Sequence, residues 1–471
     1  MTTRMSLRFP RHLPLVLGSQ LAVLVAGLIK AIIVPVMLGV SDYAYWQIYL
    51  FYTAYVGLFT LGHNDGIYLK YGGYRLEDLP FETLRASNTI HTVLLSQGAV
   101  IVAVLAASAT DFRREIVLFA VAANILVLGT TSNISLSLQA VNKMKGFAFL
   151  NTADKIFFTL ALLALINPEL RTYWFLIFAD LSGKSCVLVA LIFRYRQLYV
   201  GPFADIAVAF TEFCENLRAG SKLMVANVSG MLVLGIGRII VEYFGSLDGY
   251  AYYAFATSLA GVALVGITAV GVVLYPGLKS QDQADYCRYF DMTNEAYTAF
   301  SLIMLSSYFA AVAFISLVAK SYLPVTDFLN VIFVITVLQG KMQLVNNTFY
   351  KVLRLEGTML RANLVSLAIA TGLSILGYAL THSLLVIAYA TLLTMLFRVY
   401  NSEIILRRCM ESRSTWGPLI ETAVLMLFLG VTSFFAPLEA LVMWSAAVVV
   451  ICVHKRWYVG SLIRKVKNVV L

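Results

Sequence analysis

The chain has 471 residues, of which 60% are hydrophobic and only 13% are charged. Soluble domains carry about 25% charged residues, so this composition excludes an ordinary soluble protein and predicts a polytopic membrane protein. The cysteines are scattered, with no C-x-x-C pair and no histidine at the spacing of a metal site. The sequence therefore predicts neither a disulfide framework nor a metal site.

Windows of about 20 apolar residues, separated by polar clusters, predict the membrane-spanning helices. The first window follows the basic segment MTTRMSLRFPRH without an A-x-A cleavage site, so we expect an uncleaved first helix. We therefore predict an all-α polytopic membrane protein with about 14 transmembrane helices. The predicted spans are 13–38, 44–69, 87–109, 115–139, 150–167, 172–194, 220–244, 250–275, 294–318, 325–350, 359–380, 384–406, 417–436 and 438–456.

Lysine and arginine in the connecting loops indicate the orientation. One set of connections, which includes both termini, contains most of the loop cations. Loop cations concentrate on the cytoplasmic side of a membrane, so we expect both termini in the cytoplasm. The net charge of +10 is then a topological signal, and we expect no nucleic-acid partner. The opposite set of connections contains only Arg113, Arg114, Arg171 and Lys320.

Short segments recur in the second half of the chain. GSQL at 18 recurs as GSKL at 220, KAIIV at 30 as RIIV at 238, and DYAYW at 42 as DGYAYY at 248. Because six predicted spans separate the copies, the chain is expected to form two six-helix bundles related by a parallel internal repeat, a common transporter plan. The predicted domains are an N-terminal bundle (1–198), a cytoplasmic linker (199–219), a C-terminal bundle (220–410), and helices 13 and 14 with a basic cytoplasmic tail (411–471).

Apart from cations near the helix ends, five cations remain inside the predicted spans: Lys30, Lys184, Arg238, Lys341 and Arg398. A charged side chain at the bilayer centre costs about 2.5–3.5 kcal/mol on insertion scales, so most of them should face protein or a hydrated cavity. Helical phase places Arg398 within a polar stripe of its helix and Lys341 opposite the polar stripe of its own, so Lys341 ranks lower as a substrate ligand.

Two interpretations remain open for some of these cations. Asp180 precedes Lys184 by four residues, and Arg238 precedes Glu242 by four, which suits internal ion pairs. Otherwise the cations bind an anionic headgroup, for which arginine is suited because its fork engages two phosphate oxygens. The lower-ranked candidates lie on polar or aromatic stripes of the predicted helices: Asn227, Gln343, Asn347 and Tyr52. Aromatic stripes are more typical of packing than of sugar binding.

Four segments resemble Wzx-type polysaccharide flippases: YVGLFTLGHNDGIYLKYGG (55–73), GSKLMVANVSGMLVLGIGRIIVEYFG (220–245), VGVVLYPGLKS (270–280) and NNTFYKVLRLEG (346–357). This family shares a superfamily with multidrug/toxin extruders and lipid II flippases. The resemblance implies a flippase of the bacterial plasma (inner) membrane that works by alternating access. Its implied substrates are polyprenyl-pyrophosphate-linked oligosaccharides used for O-antigen lipopolysaccharide, capsule or exopolysaccharide.

The resemblance also implies how such a flippase works. It implies a central cavity lined by cations, for which Lys30, Arg238 and Arg398 are the candidates, with Lys184 beside them. No cofactor is expected, and a proton or sodium gradient is the implied energy source, with Asp180 and Asp65 as ion-coupling candidates. The expected partners are the lipid-linked oligosaccharide, membrane lipids, a polysaccharide polymerase and a chain-length regulator.

The sequence leaves three alternative functions. A ligase or polymerase enzyme is disfavoured because the predicted outer loops, such as GVSDY and NPELR, are short, and the sequence contains no nucleotide-binding glycine loop. A cation-coupled multidrug exporter is disfavoured because the predicted spans contain more cations than acids. A lipid II flippase of the same superfamily is the remaining alternative. We therefore do not expect an enzyme.

Overall fold

The computed structural model describes residues 13–279, 283–410 and 416–452. Within these ranges the chain is built from helices and contains no β-strand. In this described part of the chain, 10 helices are long and apolar enough to cross a membrane. The predicted fold class, an all-α polytopic membrane protein, is therefore confirmed.

The remaining predicted spans are shorter or interrupted. The predicted span 44–69 consists of a helix, a 3-10 turn at Val56–Thr60 and a second short helix. The break falls at Leu61 and Gly62, whose φ angles of 49° and 90° are left-handed. A left-handed residue cannot continue a right-handed helix, and glycine adopts that conformation most easily. Hydropathy averaged over a window of about 20 residues does not detect this break.

The described chain divides into two compact units. The N-terminal unit comprises Pro14–Gly235 and Ser246–Ala254. Its helices are α1 (Leu13–Met37), α2 (Val40–Ala54), α3 (His63–Lys70), α4 (Phe81–Ala107), α5 (Phe112–Ala140), α6 (Met144–Ala161), α7 (Tyr173–Arg194) and the larger part of α8 (Ile206–Phe244). The residues of the predicted linker from 206 onward are the first turns of α8. The predicted domain boundaries themselves stay a prediction.

Helix α5 is the centre of the N-terminal unit, since α2, α3, α4, α6 and α7 all pack against it. Helix α3 approaches α8 so closely that side chains would not fit. A Cβ atom added at Gly66 would lie 2.0 Å from the Asn216 carbonyl oxygen, and one added at Gly220 would lie 2.0 Å from the Gly62 carbonyl oxygen. Small residues permit such backbone contact between membrane helices. Lys70, at the end of α3, adds an ion pair of 2.7 Å to Glu212.

The C-terminal unit comprises Ile236–Gly245 and, within the described ranges, residues 255–452. Its helices are the end of α8, most of α9 (Leu247–Lys279), α10 (Tyr286–Leu317), α11 (Thr326–Lys341), α12 (Asn347–Val352), α13 (Glu356–Thr381), α14 (Leu384–Cys409), α15 (Trp416–Phe434) and α16 (Pro437–Cys452). Helix α11 is almost entirely buried and packs against α10, α14 and α15. A π-helical segment, Met342–Asn346, joins α11 to α12. Such a segment shifts the phase of all following side chains.

Candidate functional site

Lys30 lies two turns before the end of α1 and places its ammonium group against aromatic rings. The Nζ atom is 5.4 Å from the ring centroid of Trp46 on α2 and 5.5 Å from that of Phe158 on α6. The two rings are stacked, with centroids 5.5 Å apart and an interplanar angle of 2°. Ring faces attract a cation without neutralising it. Among the described residues, no carboxylate lies within ion-pair distance of Lys30.

Asp180 and Lys184 on α7 form the ion pair that their spacing allows. The Lys184 Nζ atom lies 2.5 Å from Asp180 Oδ2, and each side chain is 12% exposed. The Tyr49 hydroxyl donates a second hydrogen bond to the same oxygen over 2.7 Å. Asn124 on α5 donates in turn to the Tyr49 hydroxyl oxygen over 2.8 Å. Of the two interpretations left open for Lys184, the structure therefore contains the internal pair.

Helix α2 connects Lys30 to the Asp180–Lys184 pair. Lys30 lies over Trp46, Lys184 lies 5.8 Å from the ring centroid of Tyr49, and the rings of Trp46 and Tyr49 stack with centroids 5.5 Å apart. We call this group of Lys30, Trp46, Tyr49, Asp180 and Lys184 the α2 cluster. The sequence predicted its charged members, but not the two rings that hold them together. The aromatic character of α2 was the available signal.

The other two predicted residues of the N-terminal half lie on α2 and α3. Tyr52 is half-buried, and its ring packs against Phe51 at 5.9 Å between centroids. Asp65 lies half-buried in the first turn of α3, just after the break at Gly62. The role of each stays a prediction.

Arg398 on α14 is enclosed in the C-terminal unit, with its side chain among the largest that are less than 2% exposed. Its Nε donates to the Asn363 side-chain oxygen over 3.0 Å, and its Nη1 donates to the Gln339 side-chain oxygen over 3.4 Å. Thr391 and Thr394, which precede Arg398 on α14, are buried as well. In this conformation the guanidinium group is presented to amide oxygens and is closed to solvent.

The remaining predicted ligands lie on α8, in the π-helical segment and on α12. Arg238, at the end of α8, is half-buried and donates from Nε to the Thr257 hydroxyl over 3.1 Å. Asn227, earlier on α8, is exposed. Gln343 in the π-helical segment and Asn347 at the start of α12 are half-buried. Whether any of them binds substrate stays a prediction.

The C-terminal unit contains a buried charge network that sequence reasoning missed. Lys341 Nζ lies 2.8 Å from Glu403 Oε2, and it also pairs with Glu421 of α15. Arg407 bridges Glu403 and Asp291, at 2.8 Å to each. The charge of Lys341 is therefore matched within the unit. The available signal was Glu421, which is the one acid in the apolar run GPLIETAVLMLFLG.

No family model matches this chain, and no curated protein matches it either. Solved structures do. The lipid II flippase MurJ, in an inward closed conformation, is similar with a TM-score of 0.67 and 12% identity, covering 94% of this chain and 98% of MurJ. The MATE multidrug transporter DinF-BH is similar with a TM-score of 0.61 and 11% identity, covering 87% of this chain and 98% of that one.

A third similar structure is an inward-facing multidrug resistance MATE family transporter of the MOP superfamily. Its TM-score is 0.57 at 11% identity, and the match covers 84% of this chain and 96% of that one. At such identities the likeness concerns the fold. The chain therefore has the fold found in MurJ and the MATE transporters over nearly its whole length.

Proposed function

We propose that this protein is a flippase that moves polyprenyl-pyrophosphate-linked oligosaccharides from the inner to the outer leaflet of the membrane by alternating access. The observation that supports the proposal best is Lys30. It lies within the 25-residue apolar helix α1, two turns before the end of that helix. Its ammonium group rests on two aromatic rings and has no carboxylate within ion-pair distance among the described residues. Its charge is thus left for an anionic ligand.

A pyrophosphate headgroup suits this arrangement. In the low-dielectric interior of a membrane, the attraction between opposite charges is several times stronger than in water, so one uncompensated cation contributes strongly to holding a phosphate. Phosphate also accepts charge-assisted hydrogen bonds from lysine. The polyprenyl tail has no need of a polar path, because it remains in lipid while the headgroup crosses.

Lipid II is the second candidate substrate. The MurJ structure, that of a lipid II flippase, covers 94% of this chain and 98% of its own length. The resemblance of four sequence segments to Wzx-type flippases favours O-antigen, capsule or exopolysaccharide units. A cation-coupled multidrug exporter is a weaker alternative, because the α2 cluster has two lysines and one aspartate.

The proposal includes the cellular setting. The protein would lie in the bacterial inner membrane with both termini in the cytoplasm, as the distribution of loop cations indicates. It would need no bound cofactor and would use a proton or sodium gradient, with Asp180 or Asp65 as the ion-coupling residue. A polysaccharide polymerase and a chain-length regulator would be its partners at the outer face.

A deletion strain tests the proposal. We expect loss of surface polysaccharide and accumulation of undecaprenyl-pyrophosphate-linked oligosaccharide on the cytoplasmic side, both restored by the wild-type gene. Lipids extracted from the strain and separated by mass spectrometry would identify the stalled species. Accumulated lipid II would favour the second candidate, and unchanged lipid-linked intermediates with normal surface polymer would overturn the flippase proposal.

A further inference from the structure

The N-terminal unit contains a cavity of about 370 Å³ between α2, α5 and α6. This volume lies within the range of small-molecule sites, about 300–1,000 Å³. Five of its lining residues carry hydroxyl groups: Thr53, Thr60, Thr131, Ser132 and Ser135. Asp154 and Lys155 on α6 contribute the charged part of the wall. The function derived so far does not use this cavity.

The wall of the cavity has unused hydrogen-bonding capacity. Asp154 Oδ2 pairs with Lys155 at 2.5 Å, but Asp154 Oδ1 is buried and has no hydrogen-bond partner among the described residues. The hydroxyl groups of Thr60 and Thr131 donate to the backbone carbonyls of Gly57 and Val127 over 2.8 and 2.7 Å, so their oxygen lone pairs remain free to accept. Buried polar atoms left unpaired are costly, which favours a ligand that supplies donors.

The charge of the wall selects an uncharged ligand. Asp154 and Lys155 compensate each other, and the other polar lining residues named above are neutral. An anion would need an excess of cations, and a metal ion would need an excess of acids. A neutral molecule that both donates and accepts many hydrogen bonds fits the wall better, because hydroxyl groups do both. Sugars are such molecules.

The cavity adjoins the α2 cluster along two helices. On α6, Asp154 precedes Phe158, the ring under Lys30, by four residues. On α2, Thr53 follows Tyr49, the partner of Asp180, by four residues. Four residues correspond to about one helical turn, or about 6 Å along the axis. A pyrophosphate held at Lys30 would therefore have its attached sugar within reach of the cavity.

We infer that this cavity is a carbohydrate subsite that binds the sugar next to the pyrophosphate of the lipid-linked substrate. The inference rests on the proposed function, since it assumes that the pyrophosphate binds at Lys30. It adds a recognition element for the glycan, whereas the α2 cluster recognises the charged headgroup only.

Binding measurements on the full-length protein in lipid nanodiscs test the inference. The two probes are undecaprenyl pyrophosphate and the lipid-linked oligosaccharide extracted from the deletion strain. The variant Thr60→Val/Thr131→Val keeps the shape of the wall and removes two acceptor oxygens. We expect it to bind the glycosylated probe about tenfold more weakly, as the loss of two hydrogen bonds implies, and undecaprenyl pyrophosphate as tightly as wild type does.

The control is Thr89→Val/Thr371→Val, which removes two hydroxyl groups that also donate to backbone carbonyls, but from α4 and α13, whose threonines do not line the cavity. It should bind both probes like wild type. If the double variant does not fold, the single change Ser132→Ala replaces it. We expect Ser132→Ala to lower the affinity for the glycosylated probe threefold or more and to leave the affinity for undecaprenyl pyrophosphate unchanged.

The outcomes separate this inference from the proposed function. If the wild-type protein binds neither probe, the proposed function fails, and the inference fails with it. If it binds both probes but the cavity variants change neither affinity, or weaken both equally, the carbohydrate subsite is overturned and the flippase proposal stands.

Discussion

Lys341 Nζ lies 2.8 Å from Glu403 Oε2, and the two side chains are only 3% and 1% exposed. Glu421 pairs with the same ammonium group from a third helix. An ion pair this deeply buried stabilises the fold only when each charge has an opposite partner, because removing each ion from water costs several kcal/mol. The network therefore joins α11, α14 and α15 in an arrangement that tolerates no single missing partner.

Lys341→Gln should destabilise the protein strongly, because it leaves the buried Glu421 without its cation and Glu403 with Arg407 alone. Removing one partner of a buried pair costs about 3–5 kcal/mol. Thermal unfolding of the purified protein in detergent would measure the loss. Lys320→Gln is the control, since Lys320 is exposed and such changes stay within about 0.5 kcal/mol. A Lys341→Gln protein that melts like wild type would contradict the structural role of the network.

Lys341 also illustrates which contacts can be predicted from the sequence and which cannot. Helical phase at about 100° per residue ranked it low as a substrate ligand, but phase does not identify a partner 80 residues away on another helix. The π-helical segment that begins at Met342 adds a phase shift that no constant period includes. By contrast, the Asp180–Lys184 pair lies within one turn of one helix, and its spacing was sufficient to identify it as one of two possibilities.

The same distinction applies to the fold. Long apolar windows predicted the spanning helices, because membrane helices must satisfy their backbone internally and present apolar side chains to lipid. The break at Leu61 and Gly62 was not predicted, because two left-handed residues change the average hydropathy of a window very little. The aromatic rings under Lys30 belong to α2 and α6, and only tertiary packing brings them together.

The close contact between α3 and α8 should not tolerate a side chain. In Gly220→Ala, the new Cβ would lie 2.0 Å from the Gly62 carbonyl oxygen, so the two backbones would have to separate. We expect a clear loss of folded protein in the membrane, measured by size-exclusion chromatography of a fluorescent fusion. Gly372→Ala, in an open position on α13, should be neutral or stabilising by up to about 1 kcal/mol. Equal abundance of the two variants would argue against the contact.

Asp180 should have two separable roles. Asp180→Asn leaves Lys184 without its partner, so the amount of folded protein should fall, and the added change Lys184→Gln should restore it. If Asp180 also carries the coupling ion, gradient-dependent transport in proteoliposomes should remain lost in the double variant. Tyr49→Phe, which removes the hydroxyl donor to Asp180, should keep most of the activity. Transport restored together with abundance would assign Asp180 to charge neutralisation alone and leave Asp65 as the coupling candidate.

Lys30 should matter through its charge. Lys30→Gln removes the cation that lies over Trp46 and Phe158, whereas Lys30→Arg keeps a cation that also stacks well on aromatic rings. A charge-assisted bond to phosphate contributes about 1.5–3 kcal/mol, so Lys30→Gln should lower transport by about an order of magnitude or more, with Lys30→Arg retaining much of it. Surface polysaccharide in the complemented deletion strain, normalised to protein abundance, measures this.

Arg398 provides the matching test in the C-terminal unit. Arg398→Ala leaves the side-chain oxygens of Asn363 and Gln339 without their donor, and Arg398→Lys cannot reproduce both contacts from one ammonium group. We expect Arg398→Ala to reduce surface polymer sharply and Arg398→Lys to be partly active. The Lys30→Gln/Arg398→Ala double variant decides the mechanism. Because it removes a cation from each unit, wild-type polymer levels in that strain would rule out a cationic path for the headgroup.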